Sequence, residues 1–293
     1  MQRSTLLFLA VCRFSTLGAQ SLEIKTAGNE KLLGLWSHER LEAAPYAVWF
    51  KKNYDAYEPE KVKIKKLRKT KDLFDSVTLF MGTWCGDSKR EAPRFIKCME
   101  ELSFNLNRLK IICVDRTFQN YKQSPGREES GQNIHRVPTF IFHKNGDEIG
   151  RIVESPKESL EVDMLKLVTG GNYMPNYEGV VLLNQLLTDN GVGYIIENKL
   201  NILDQLRTVV SSKYELNTYG LVLFSSFQLA DAGIIYELNK LLFPNESLPY
   251  FSLGRFEAIS GDIELARVDL EQALELAPDN EDIKAYLDKI QEP

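Results

Sequence analysis

The chain has 293 residues, 43% hydrophobic and 26% charged, with 36 Lys and Arg against 41 Asp and Glu for a net charge of −5. That length exceeds what one core usually fills and implies about two domains, and the composition excludes both a disordered chain and a multispanning membrane protein. The acidic balance removes the electrostatic basis for general nucleic-acid binding, so protein or small thiols are the partners it favours.

The first element is an address. Met1 to Arg3 is a basic start, Thr5 to Cys12 is almost wholly apolar, and Leu17-Gly18-Ala19 before Gln20 supplies small residues for cleavage. Residues 1–19 therefore read as a signal peptide, which implies an exported protein of a bacterial periplasm or cell envelope; if 1–19 is retained, the location is cytoplasmic. The competing reading is a buried amino-terminal strand or helix, because Arg13 follows the apolar stretch. The apolar run is too short for a stable membrane span, and Val11 stands where a lipoprotein signal before Cys12 needs a small residue. Cleavage would remove Arg3, Arg13 and Cys12, take the net charge from −5 to −7 and leave Cys85, Cys98 and Cys113, an odd count.

Residues 20–44 form an N-terminal extension in this reading, followed by a domain over 45–168. Pro45 to Tyr57 has helical spacing of Tyr46, Trp49, Phe50 and Tyr54. Seven Lys or Arg lie between Lys61 and Lys71, interleaved with Val62, Ile64 and Leu67, and read as a half-buried edge element with a solvated basic face rather than a site for an anionic partner. A strand is expected from Val77, a helix over Lys89–Leu102, a buried strand over Leu109–Asp115, a hairpin of Phe140–His143 and Ile149–Val153 turning at Asn145-Gly146, and a closing helix over Leu160–Val168. That order gives an α/β unit, a mixed sheet with helices on its faces.

A turn-rich linker over 169–177, containing Gly170, Gly171 and Pro175, precedes an all-α half. Pro244 and Pro278, Gly220 and Gly254, and Ala232 and Ala266 each stand 34 residues apart, so the half is a helical repeat. Residues 247–280 resemble the tetratricopeptide pattern closely through Leu253-Gly254, Ala258, Gly261, Ala266, Leu270, Ala273 and Pro278; residues 213–246 resemble it loosely, with Phe227 at the inter-helix glycine and Asn239 at the second-helix alanine. The repeat region spans 213–293, closed by a capping helix over Asp282–Ile290. Residues 178–212 are a helical connector, either a decayed repeat or a joining pair. The repeats read as a scaffold, with a protein partner on them as the alternative.

Trp84-Cys85-Gly86-Asp87-Ser88-Lys89 with Pro93, Val137-Pro138-Thr139 before an apolar strand, and the Lys144-Asn145-Gly146 turn together resemble the thioredoxin superfamily over about residues 45–168. The resemblance implies a thioredoxin fold, Cys85 as nucleophile, a cis-proline at Pro138 facing the sulfur, and a platform of Trp84, Arg136, Val137 and Pro138 on which an extended partner pairs with the Val137 backbone. Two residues depart from the family pattern. Ser88 replaces the second cysteine, and a hydroxyl cannot release a mixed disulfide; Leu79 replaces the buried carboxylate six residues before the nucleophile. Cys85 still stands where a helix begins, and unpaired N–H groups there favour a thiolate. Ser88 is expected to donate a hydrogen bond to the sulfur, and His135 reads as a rim residue rather than a base. Cys98 and Cys113 read as buried apolar side chains, not resolving thiols.

The expectation is monothiol exchange at Cys85, of isomerase or mixed-disulfide type, with protein or small-molecule disulfides, an external resolving thiol, and neither cofactor nor metal. The alternative is a non-catalytic, chaperone-like binding module using the thioredoxin surface and the repeats.

Overall fold

The computed structural model describes residues 21–26, 30–70 and 74–291, so the signal-peptide reading of 1–19 lies outside the described residues. Three strands read from the sequence form the centre of a sheet: β3 (Ser76–Met81), β4 (Leu109–Cys113) and β5 (Thr139–Lys144). β3 runs parallel to β4 and antiparallel to β5, which turns through Asn145 and Gly146 into β6 (Asp147–Val153). Side chains alternate across these strands as a period of two requires. Val77, Leu79, Met81, Ile111, Cys113, Phe140 and Phe142 point into the larger core, whereas Phe80, Ile112 and Ile141 point to the opposite face.

The larger core is closed by helices α2 (Ala47–Asp55), α3 (Lys61–Arg68), α4 (Gly86–Glu101) and α5 (Leu160–Val168). In α4, Ala92, Phe95, Ile96 and Met99 are buried at helical spacing, and Phe95 lies against Phe140 with ring centroids 4.4 Å apart. Burial of Phe95, Ile96 and Met99 contributes roughly 1.5–3 kcal/mol of transfer free energy each. α5 begins where Ser159 caps the Val162 N–H at 3.2 Å.

Two parts of the sequence reading need correction. The basic stretch is not a sheet edge. It is helix α3, which buries Ile64 and Leu67, packs against α5 and turns its lysines outward. Nor is the N-terminal extension separate from the sheet. β1 (Leu22–Ile24) and β2 (Lys31–Trp36) complete a six-stranded order β1-β2-β4-β3-β5-β6, with β2 antiparallel to β4. A short helix, α1 (His38–Glu42), leads from β2 towards α2. Lys-Leu-Leu-Gly-Leu-Trp does not alternate, because Leu32 and Leu33 are both buried, so period-two reasoning misses it.

The second half is helical: α6 (Glu178–Glu197), α7 (Lys199–Val209), α8 (Lys213–Ser225), α9 (Leu229–Leu242), α10 (Ser247–Ser260), α11 (Ile263–Leu276) and α12 (Glu281–Gln291). α8–α9 and α10–α11 are the two 34-residue units, and α12 covers the last one through Ile283 and Leu287. The loops between paired helices show why the first unit matches loosely. Gly261 ends α10 at φ 95°, a left-handed conformation natural to glycine. The equivalent Phe227 adopts φ 61°, with its ring 80% exposed.

Candidate functional site

β3 ends at Met81, and the chain turns through Gly82, Thr83 and Trp84 to Cys85, the N-cap of α4. The turn is tight. A Cβ on Gly82 would meet Trp84 Cε2 at 2.5 Å, so only glycine lets the indole lie back over the strand end. The indole Nε1–H then donates to the Val114 carbonyl at 2.8 Å. Trp84 and Cys85 pack on the smaller face of the sheet, over Phe80, Ile112, Val114, Ile134, Val137 and Ile141.

Cys85 is half-buried, and its thiol donates to the Val137 carbonyl at 3.3 Å. The Val137–Pro138 peptide is cis. Trp84, Cys85, Val137 and Pro138 are thus brought together. Ser88 is near by but differently used. It is fully buried, and its Oγ accepts the Gly82 N–H at 3.1 Å, so the hydroxyl braces the strand-to-helix turn instead of donating to the sulfur.

Arg136 departs from the expected platform. Its guanidinium donates to Glu154 at 3.5 Å and to the Tyr214 carbonyl at 2.9 Å, and lies 4.5 Å from the Tyr177 ring centroid. It joins the sheet half to the helical half rather than facing a partner. His135 is not a rim residue either. It is 3% exposed, with Tyr177 and Tyr219 rings edge-on at 5.6 and 6.1 Å. Burial pushes its pKa down to about 3, and Nδ1 lies 3.4 Å from the Asn133 carbonyl, as the donor in a neutral ring. The depressed pKa fixes the sign of a pH effect. Between about pH 3 and 6.5 the unfolded chain binds this proton and the folded one does not, so stability falls as pH falls through that window. His135→Leu should remove about 2 kcal/mol of the loss between pH 7 and pH 5, read from urea midpoints at the two pH values.

Among the described residues the other two cysteines, Cys98 and Cys113, are fully buried, and burial pushes both thiols up; for Cys98 the neighbouring Glu161 carboxylate at 3.6 Å adds to it. Neither is prepared as a thiolate.

The residue that sequence reasoning misses is Lys122. It lies in the irregular segment between β4 and β5, is 5% exposed, and holds its ammonium 5.5 Å from the Trp84 ring centroid and 4.5 Å from that of Tyr121. Burial pulls its pKa down to about 8; Arg136 acts in the same sense, while Cys85 and Glu154 oppose it. A lone lysine in a loop carries no spacing signal.

A strand-turn-helix that presents one cysteine at a helix N-terminus, opposite a cis X-Pro bond just before the neighbouring strand β5, defines a thioredoxin-fold protein. The thioredoxin family profile matches residues 64–166. Thioredoxin H9 of Arabidopsis thaliana is 34% identical over 92 residues, 31% of this chain and 59% of the plant protein. Thioredoxin-1 of Schizosaccharomyces pombe is 33% identical over 85 residues, 29% of this chain and 73% of the yeast protein. The chain belongs to the thioredoxin family, followed by a C-terminal helical region that fits a helical repeat. It spans about three fifths of the length of the plant relative. No solved structure matches the chain. No described helix is long and apolar enough to cross a membrane.

Proposed function

We propose that this protein carries out monothiol thiol–disulfide exchange through Cys85, with protein or small-molecule disulfides as substrates and an external thiol as resolver. The observation that carries the reading is the contrast among its described cysteines: Cys85 is half-exposed at the start of α4, while Cys98 and Cys113 are fully buried with raised pKa values. The Cys85 thiolate attacks one sulfur of a disulfide, a Cys85 mixed disulfide forms, and the other sulfur leaves as a thiolate. An external thiolate then attacks the mixed disulfide and regenerates Cys85. Trp84, Val137 and Pro138 form the platform for the partner. Ser88 fixes the turn that presents the sulfur. Export rests on the Met1–Ala19 pattern.

Ser88→Cys tests the reading. The i,i+3 spacing of Cys85 and Ser88 at the start of α4 puts their Cα atoms about 5 Å apart, within the span of a disulfide. The variant should reduce a protein disulfide such as insulin stoichiometrically, whereas the wild-type chain should stall at the mixed disulfide until a thiol is added. A wild-type rate equal to that of the variant and insensitive to added thiol would contradict a monothiol mechanism.

A second reading, a chaperone-like binding module, is favoured by Leu79 lying where the family's buried carboxylate would be and by Arg136 being committed to the seam. For that reading, Cys85→Ala leaves function intact.

A further inference from the structure

Two side-chain-bearing residues in contact with the 136–138 segment hold left-handed backbones: Glu154, directly after β6, at φ 63°, and Tyr177, directly before α6, at φ 70°. Such conformations are uncommon outside glycine and persist where the surroundings over-determine them. Here the surroundings come from both halves of the chain. The Glu154 N–H donates to the Pro138 carbonyl at 2.7 Å. Asn176 brackets the same residue, its Nδ2 donating to the Val153 carbonyl at 3.2 Å and the Ser155 carbonyl at 2.8 Å. The Glu154 carboxylate accepts from the Tyr177 hydroxyl and lies 3.5 Å from the Arg136 guanidinium.

Arg136 completes the connection. Its guanidinium lies 4.5 Å from the Tyr177 ring centroid and donates to the Tyr214 carbonyl, in the first turn of α8, at 2.9 Å; its own carbonyl accepts the Thr139 hydroxyl at 2.7 Å. The Arg136 and Glu154 side chains are each under a quarter exposed, so the pair is screened less than a surface one. Val137, the next residue, is buried, and its carbonyl receives the Cys85 thiol at 3.3 Å. A continuous set of bonds therefore runs from α6 and α8 to the segment that lies against the sulfur. Attack by the sulfur does not itself require those bonds, whereas a partner strand pairing with the Val137 backbone requires that backbone in a fixed place.

We propose that Arg136 and Glu154 are positioning residues for exchange with extended polypeptide disulfides: through them the helical half fixes the Val137–Pro138 backbone on which the partner strand lies while the Cys85 thiolate attacks its sulfur. This role rests on the exchange reading and gives the helical half a part in it. The sulfur–sulfur bond of the substrate breaks, the Cys85–sulfur bond forms, and the other sulfur leaves as a thiolate. Arg136 and Glu154 neither gain nor lose a proton in the step.

The test compares two reagents with the same leaving group: an extended synthetic peptide whose central cysteine carries a thiopyridyl group, and dithiodipyridine, each followed by release of thiopyridone. Arg136→Met removes the bonds to Glu154 and Tyr214. Glu154→Gly removes the carboxylate, keeps the N–H that reaches Pro138 and suits the left-handed backbone, so the fold is retained. Each variant should lower the ratio of the peptide rate to the small-reagent rate roughly tenfold, since a misplacement of about 1 Å can cost more than that. Arg136→Lys, which keeps a cation for Glu154, should recover part of the ratio. In the double variant the two effects should combine to less than their product, because both break one ion pair. A merely structural role would lower the melting temperature or slow both reagents alike, and an unchanged ratio in the two single variants would overturn the proposal. A folded wild-type protein that releases thiopyridone from neither reagent would instead remove the exchange reading beneath it.

Discussion

Cys85→Ser abolishes mixed-disulfide formation, with residual rate below about 1% of the wild type, because a hydroxyl at that position cannot exchange with a disulfide. The substitution is nearly isosteric at a half-exposed position, and changes of that kind usually alter stability by less than about 1 kcal/mol. The introduced hydroxyl can still donate to the Val137 carbonyl, as the thiol does at 3.3 Å. Loss of reaction with an unchanged melting temperature would therefore be chemical. It would also show that neither Cys98 nor Cys113 substitutes for Cys85, as expected for two thiols fully buried in the larger core. Exchange that survives in Cys85→Ser would transfer the chemistry to one of them. The rate is read from the thiol released by a disulfide reagent, with circular dichroism on the same sample.

Asp115→Ala should have the largest effect on stability, a loss of about 3–5 kcal/mol, because it leaves a buried charge without its partner. Asp115 is 8% exposed and Lys31, its ion-pair partner on β2, 6%. Burial pushes the Asp115 carboxyl up, but donors from Lys31, the Arg116 N–H at 2.7 Å and the Thr117 hydroxyl at 3.0 Å prevail and hold it below the usual carboxylate range. The pair ties strand β2 to the start of the segment that carries Lys122. Removing both charges, in Lys31→Met with Asp115→Leu, should recover most of the loss, since a buried ion pair replaced by apolar groups of similar size is often neutral or better. Chemical denaturation of the two variants measures this. A loss under about 1 kcal/mol in Asp115→Ala would mean that water reaches Lys31 and that the segment is not braced as described.

Much of the fold is legible because it is written in local periodicity. The apolar spacing of α5 predicts a helix over Leu160–Val168, and the structure gives the same span. β3, β4 and β5 appear as short apolar runs bounded by turns, and the 34-residue spacing of Gly220 and Gly254 marks the paired helices α8–α9 and α10–α11. β2 escapes such reading because Leu32 and Leu33 are buried together beside Gly34, a pattern with neither a period of two nor one of 3.6.

The site divides in the same way. Cys85, Trp84, Val137 and Pro138 are visible because two short motifs carry them. The seam is not, because its bonds join residues far apart in sequence. Gln123 meets Ser225 across 102 positions, Ser225 reaches the Phe118 carbonyl at 3.1 Å, and Arg136 reaches Tyr214 across 78. Arg255 covers the Phe118 ring at 4.8 Å. No local pattern announces such pairs, so Arg136 reads from sequence as platform and His135 as rim when both are held between the two halves. Ser88 shows a subtler limit. Its place in the motif is legible, but the direction of its hydroxyl, towards Gly82 rather than Cys85, is set by the turn geometry alone.

The most direct test of monothiol exchange at Cys85 is intact-mass and peptide-mapping spectrometry of the folded protein after brief exposure to a small disulfide, before and after adding an external thiol. One half-molecule attached at Cys85, with Cys98 and Cys113 unmodified and the adduct released by the thiol, is the predicted result. A protein that gains no mass, or gains it on Cys98 or Cys113, would contradict the assignment and leave Cys85 as part of a docking surface.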